Sequence, residues 1–149
     1  MPSINRTYQE IAAFDQEARQ WLANREAQWK QQEGNKDKAF PGTKFTWAVN
    51  RVLKRSQAVI SDYQERVTEL HIKHAAVDDK GVLDLDPRGQ FRFKPDELIL
   101  KNQEQSKLFR SETQIEPYYA TEVPDDLTES EKDLFADFVI KPETTAEPA

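Results

Sequence analysis

The strongest constraint on the fold is a long apolar seam between residues 43 and 76. Its members recur every three, four or seven residues, the spacing that aligns side chains on one face of an α-helix. They are Phe45, Val49, Val52, Val59, Tyr63, Val67 and Leu70, and Leu53 and Ile60 widen the stripe. A narrow seam sustained over about 30 residues is typical of a coiled-coil or bundle helix. The sequence therefore predicts one long bundle helix here.

A second amphipathic helix is predicted upstream, over residues 7–33. Its start, Thr7-Tyr8-Gln9-Glu10, has the form of a capping box. The apolar stripe has helical period and consists of Tyr8, Ile11, Phe14, Ala18, Trp21, Leu22 and Trp29. Gly34 is predicted to end the helix in a left-handed conformation, and a polar loop closed by Pro41-Gly42 follows.

A β-hairpin is predicted after the long helix. Residues 82–86 and 90–94 alternate apolar and polar side chains, and Asp86-Pro87-Arg88-Gly89 between them fits a type I turn. The side chains expected on one face are Leu83, Leu85, Phe91 and Phe93. Because an isolated two-stranded ribbon is marginal in water, this face is predicted to need a cover from this chain or from another subunit.

The rest of the chain predicts a third helix over residues 95–111, with Pro95 in its first turn, and an extended segment over 114–123. Thr128-Glu129-Ser130-Glu131 is a second capping box, and it introduces a short helix with Leu134, Phe135, Phe138 and Val139. Residues 143–149 are predicted to be disordered.

We therefore expect an α-rich α+β protein in which long antiparallel helices are joined by a β-hairpin, with an added N-terminal helix and a short C-terminal helix. An N-terminal helix and loop (1–42) would precede the helix–β-hairpin–helix core (43–111). An acidic extended segment with a short docking helix (112–142) and the disordered tail (143–149) would follow.

Charge is distributed unevenly along the chain. The net charge is −6, composed of +3 over residues 1–110 and −9 over residues 111–149. An acidic C-terminal part is typical of a solubilising or partner-facing element. We expect residues 112–142 to be detachable from the helical core, and the acidic balance argues against a nucleic-acid partner.

The sequence offers little for catalysis. It has no cysteine, and its four glycines are all explained by predicted turns, which leaves none for a phosphate-binding loop. His71 and His74 could share a helix face and bind a metal with Asp78, but a partly exposed position near a helix end, where a cation is favoured, is the simpler explanation. We expect no catalytic residue, no metal and no cofactor.

Two further clusters leave alternatives open. Trp21 and Trp29 lie two turns apart, and they are either interface anchors or core residues against the long helix. Near Trp47, the start of the long helix carries Lys44, Arg51, Lys54 and Arg55. These cations are either a solvated helix face or a nucleic-acid contact.

The layout over residues 43–142 resembles a family of short proteins encoded by tailed bacteriophages. The resemblance rests on the long spaced-apolar helix, an Asp-Gly turn, the hairpin, the acidic-apolar Glu112-Thr113-Gln114-Ile115-Glu116, and the helix entry Leu127-Thr128-Glu129-Ser130-Glu131. The helix–hairpin–helix portion is also similar in shape to prefoldin-type chaperone subunits, although shape alone does not transfer a function. No site residues follow from either resemblance.

The expected function is that of a non-enzymatic phage structural or assembly protein, present in the host cytoplasm or the virion. It would bind itself and other phage proteins, with no membrane partner. The expected interface residues are Leu83, Leu85, Phe91, Phe93, Trp21, Trp29, Leu134, Phe135 and Phe138. A phage-encoded inhibitor of a host defence protein is the first alternative, and a metal-dependent enzyme based on the histidine pair is the second.

Overall fold

The computed structural model describes residues 2–142 of the chain. In chain order it contains β1 (Ile4–Thr7), α1 (Tyr8–Gln31), α2 (Lys44–His74), α3 (Pro95–Phe109), β2 (Glu112–Ile115) and α4 (Glu129–Phe135). The fold is helix-rich with one small two-stranded antiparallel sheet, which confirms the α-rich α+β class. The predicted disorder of residues 143–149 lies outside the described residues. Within 2–142, no helix has both the length and the apolar composition needed to span a bilayer.

Local signals define where the two long helices begin. Thr7 caps α1 as predicted: its hydroxyl accepts a hydrogen bond from the Glu10 amide at 3.1 Å, and the Glu10 carboxylate accepts one from the Thr7 amide at 3.0 Å. Thr43 caps α2 in the same reciprocal way with Thr46. These bonds satisfy amides that have no partner within the helix. The predicted limits of both helices are confirmed to within two residues.

The three longer helices pack antiparallel in sequence order. Tyr8 at the start of α1 contacts Tyr63 in the second half of α2, whereas Trp21 contacts Phe45 at the start of α2. Tyr63 also meets Phe109 at the end of α3. The long α2 therefore borders both neighbours, as a bundle helix should.

The hydrophobic core occupies one part of this arrangement. It combines the α1 stripe, the first half of α2 and residues from the C-terminal third of the chain: Ile11, Phe14, Ala18, Trp21, Phe45, Ala48, Val49, Val52, Leu53, Ile115, Leu127, Phe135, Phe138 and Val139. Beyond Ser56, the seam of α2 is only half-buried until His74, and α3 has no buried residue. The molecule thus has a well-packed end and a thinly packed end.

The expected separation of residues 112–142 from the helical core is not seen in the structure, where several of these residues belong to that core. β2 pairs with β1 in an antiparallel register that sets Ile4 opposite Ile115, a strand pairing that the N-terminal residues did not predict. The Phe135 ring contacts the rings of Phe14, Trp21 and Phe45. The short α4 is too brief to be stable alone, and its apolar face is buried against the two longest helices of its own chain.

The predicted hairpin also differs from a regular two-stranded ribbon. Isolated antiparallel bridges link Val77 to Leu83 and Leu85 to Phe91, so three short extended segments, 76–78, 82–86 and 90–93, lie side by side. Backbone bonds from the Ala76 amide to the Arg92 carbonyl, from the Asp84 amide to the Ala76 carbonyl and from the Arg92 amide to the Asp84 carbonyl link each of the three segments to the other two. We call residues 76–93 the meander.

Candidate functional site

The meander is built by two turns of the same design. In each, a leading aspartate accepts hydrogen bonds through Oδ1 from the amides two and four residues later, at 2.8 and 3.0 Å for Asp78 and at 2.8 and 2.9 Å for Asp86. The fourth residues, Gly81 and Gly89, have φ of +78° and +79°, a conformation that glycine adopts without strain. The predicted turn at residues 86–89 is confirmed, and its design recurs at 78–81.

The apolar face predicted for the hairpin is covered mainly by its own chain. The rings of Phe91 and Phe93 meet the His71 ring of α2 edge-on at 6.1 and 5.9 Å. The Lys101 ammonium of α3 lies over the Phe93 ring at 5.3 Å. Leu83 and both phenylalanines are therefore half-buried, while Leu85 remains 46% exposed. The cover that the sequence required comes from α2 and α3, and it leaves Leu85 at the surface.

Exposed apolar side chains are concentrated in the meander and in the helix ends beside it. Of the nine large apolar residues that are exposed between residues 2 and 142, seven lie in residues 72–101, which we call the arm: Ile72, Val77, Val82, Leu85, Leu98, Ile99 and Leu100. Val82 and Ile99 are each 59% exposed. Scattered apolar side chains are ordinary on a surface, whereas large contiguous apolar patches mark sites of interaction.

One sequence signal could have located this surface. Leu98, Ile99 and Leu100 are consecutive in α3, and successive helical residues are rotated by about 100°. Three apolar neighbours therefore cannot all face a single partner helix. At least one must point away from α2, and all three are exposed here.

The charge of the arm is balanced. Residues 72–101 contain six acidic and six Lys or Arg side chains, whereas the whole chain has a net charge of −6. Two copies of the arm would therefore lack the net repulsion that two copies of the acidic part would experience.

The two histidines occupy different environments. Nδ1 of the buried His74 lies 2.6 Å from Glu97 Oε2 of α3, and this hydrogen bond raises the pKa of His74 above its usual value. Nε2 lies 3.2 Å from Glu104 Oε1, at ion-pair distance but outside hydrogen-bond geometry. Burial, followed by the nearby Lys101 charge, instead lowers the pKa of His71. His74 thus ties α2 to α3.

These environments do not bring the histidines together around a common centre. His71 faces the aromatic rings of the meander, and His74 faces two carboxylates of α3. No group of three or more potential metal ligands with suitable geometry occurs in the described part of the chain. The geometry therefore does not support a metal site formed by His71 and His74.

Three of the other predicted interface residues are buried within the chain. Trp21, Phe135 and Phe138 belong to the core, with 7%, 0% and 7% exposure, so they pack within their own chain and are not exposed to a partner; for Trp21 this is the core alternative. They are buried because the apolar faces of α1, α2 and α4 converge there. Leu134 packs against the same core and is half-buried.

Trp29 has a different position. It is half-buried and meets the Phe40 ring edge-on at 5.8 Å, at the wall of an open cleft of about 580 Å³ between α1 and the start of α2. Arg25 lines the same cleft, but its guanidinium is engaged by Asp126 at 2.9 Å and lies over the Trp21 ring. Of the nine exposed large apolar side chains in the described residues, only Val123 lines this cleft.

Comparison of the chain with known protein families, with curated proteins and with solved structures found no match. These comparisons therefore do not bear on the resemblance to tailed-phage proteins.

Proposed function

We propose that this protein is a non-enzymatic binding protein that associates with a second copy of itself through the arm. The observation that carries the proposal is the concentration of exposed apolar side chains in residues 72–101. The rest of the described surface contributes only Trp47 and Val123 to that set. Burying an apolar side chain contributes about 1.5–3 kcal/mol when it is fully exposed beforehand, so a cluster is needed to offset the entropy lost on association.

The balanced charge of the arm favours a second copy as the occupant. A surface with equal numbers of acidic and basic side chains can pair with itself in a two-fold arrangement. The two Asp-Gly turns and the His74–Glu97 bond hold this surface in a defined shape. A shaped apolar surface needs little reordering before association, which lowers the cost of binding.

The biological role that we propose follows from the resemblance to tailed-phage proteins. The protein would act as a virion component or an assembly factor, in the host cytoplasm or the virion, and would bind other phage proteins after self-association. The alternative of a phage-encoded inhibitor uses the same surface for a single host protein. The two differ in whether the isolated protein self-associates and whether it is found in particles.

The test is the oligomeric state of arm variants. Val82→Asp and Ile99→Asp each place a carboxylate on the exposed apolar surface, where association would bury it without a partner. Val123→Asp is the matched control, because Val123 is exposed but lies outside the arm. Sedimentation velocity over a range of concentrations should show an oligomer for the wild type and for Val123→Asp, and monomers for both arm variants.

These substitutions are preferable to a change at Phe91. The Phe91 ring is half-buried against His71, so a charge there would disturb the folding of the arm as well as any interface. A wild-type protein that stays monomeric at every concentration would refute self-association. Specific capture of one host protein by that monomer, lost in Ile99→Asp, would assign the arm to the inhibitor function instead.

A further inference from the structure

A second surface lies on the first three turns of α2, away from the arm. Trp47 is 52% exposed and meets the Tyr118 ring edge-on at 5.2 Å. The Arg51 guanidinium lies over both rings, 5.2 Å from the centre of Trp47 and 5.9 Å from that of Tyr118. Because Tyr118 is 71 residues from Trp47 in sequence, only the tertiary fold brings these groups together.

Hydrogen bonds of residues 116–118 hold this surface in position. Arg55 donates hydrogen bonds to the carbonyls of Glu116 and Pro117, at 3.1 and 2.9 Å, and its guanidinium also lies near the Tyr118 ring. The Tyr118 amide donates to the Phe138 carbonyl, which ties this strip of chain to the core. An arginine and an aromatic ring fixed in this way lose little conformational entropy when a ligand binds.

The cations of α2 extend this surface along the helix. Lys44, Arg51 and Lys54 are spaced by seven and three residues, and all three are exposed on the side that carries Trp47. Lys44 is paired with Glu122 at 3.4 Å, while the first turn of α2 contains no acidic residue. The positive end of the helix dipole therefore adds to the charge of the side chains.

We propose that this surface binds single-stranded nucleic acid without strong sequence preference. An exposed indole beside the Arg51 guanidinium, which lies over two aromatic rings, matches the two features of such a ligand, an accessible base face and a phosphate backbone. A duplex hides the faces of its bases, so the exposed Trp47 ring favours a single strand. We therefore revise the expectation, based on net charge alone, that nucleic acid is not a partner.

The net charge of −6 does not oppose a local contact of this kind. Exposed charges interact over about 8 Å at physiological ionic strength, so distant acidic residues have little effect on a ligand at Trp47. The site is also remote from the arm. Trp47 and Ile72 are separated by 25 helical residues, or about 37 Å along α2. Changes in self-association and in nucleic-acid binding can therefore be measured separately.

The test is the binding of fluorescein-labelled oligothymidylate to the full chain, measured by anisotropy at several salt concentrations. Trp47→Ala should weaken binding about tenfold, because base stacking on an aromatic ring contributes that much or more. Arg51→Ala should weaken it and reduce the salt dependence by about 0.7 in the log–log slope, the value for one lost contact to a single strand. Trp47→Phe should retain most of the affinity.

Arg88→Ala is the control, because Arg88 is an exposed cation in the second turn of the meander. It should leave oligothymidylate binding unchanged. Lys54→Ala, an exposed position that packs against nothing in the core, serves as a second variant if Arg51→Ala lowers the thermal stability. Quenching of tryptophan fluorescence by the oligonucleotide should be reduced in Trp47→Phe.

Three results would overturn the proposal. One is the absence of binding at low salt, and another is an equal loss of affinity in Arg51→Ala and Arg88→Ala, which would indicate a nonspecific charge effect. The third is binding of a polyglutamate peptide as tight as that of the oligonucleotide and equally sensitive to Trp47→Ala. That result would assign the surface to an acidic protein partner.

Discussion

Replacing Phe135 by alanine tests how far the C-terminal helix contributes to the stability of the whole chain. Its side chain has no solvent exposure, and the rings that it contacts in α1 and α2 are at least 90 residues away in sequence. The ring centres of Trp21 and Phe45 lie 4.9 and 5.1 Å away, both edge-on, and that of Phe14 lies at 6.3 Å. Phe135→Ala therefore removes the ring that joins three elements.

The size of the effect follows from the burial of the ring. A fully buried phenylalanine replaced by alanine costs about 3–5 kcal/mol, through lost transfer free energy and the cavity that remains. The three aromatic contacts place Phe135 in the upper part of that range, since each edge-on pair is worth roughly 0.5–1.5 kcal/mol. A domain of this size has a total stability of about 5–15 kcal/mol, so the loss is a large fraction of it. The melting temperature should fall by roughly 10–20 °C.

The assay is thermal and urea unfolding followed by far-ultraviolet circular dichroism, with Lys132→Ala as the control on the same helix. Lys132 is exposed, so its substitution should change stability by no more than about 0.5 kcal/mol. Truncation after Val123, which removes α4 altogether, should destabilise α1 and α2 as well. A truncated chain that melts like the wild type would show that α4 is not part of the core and would restore the partner-facing reading.

Two further predictions concern pH and the turns. Because the pKa of His74 is raised on folding, its contribution to stability is complete below about pH 6.5 and is lost as the pH rises through the raised pKa. The pKa of His71 is lowered on folding, so its contribution to stability is complete above about pH 6.5 and is lost as the pH falls below that value. The melting temperature of the wild type should therefore decline at both ends of the range pH 5.5–8.5. The alkaline decline should be absent in His74→Gln and the acidic decline in His71→Gln, and a profile unchanged by either substitution would refute both assignments. Gly89→Ala should destabilise the protein by about 1–2 kcal/mol because alanine is strained at φ +79°, as urea unfolding would show. Gly42→Ala should be close to neutral, since Gly42 has no positive φ and the added Cβ makes only an ordinary contact; equal effects at both glycines would contradict the strain argument.

The sequence by itself determined where the helices of this protein begin and where its Asp-to-Gly turn at residues 86–89 lies. The starts of α1, α2 and α4 follow from capping boxes that use residues three apart, and the turn at residues 86–89 follows from the aspartate that begins it and the glycine that ends it. Hydrogen bonds of this kind are made within four residues, so the chain needs no distant partner to encode them. The apolar period of α1 likewise identified which of its residues are buried.

The candidate surfaces were only partly predictable. The sequence located the meander and its phenylalanines, but it could not show that His71 and Lys101 cover them. It identified the cations beside Trp47 without the tyrosine that completes the surface. Exposure depends on what distant segments leave uncovered, and an apolar pattern alone does not distinguish a buried side chain from one awaiting a partner.

Only the tertiary structure decided where the C-terminal third of the chain belongs. The acidic composition of residues 111–149 suggested separation from the core, yet α4 needs to bury only the apolar side of one short helix while its acidic residues stay in water. The apolar faces of α1 and α2 can accept either a partner protein or a segment of the same chain. Because α4 belongs to the same chain, it is present at a high effective concentration beside the apolar faces of α1 and α2. It binds there because burial of Phe135 against three aromatic rings outweighs the entropy of closing the loop.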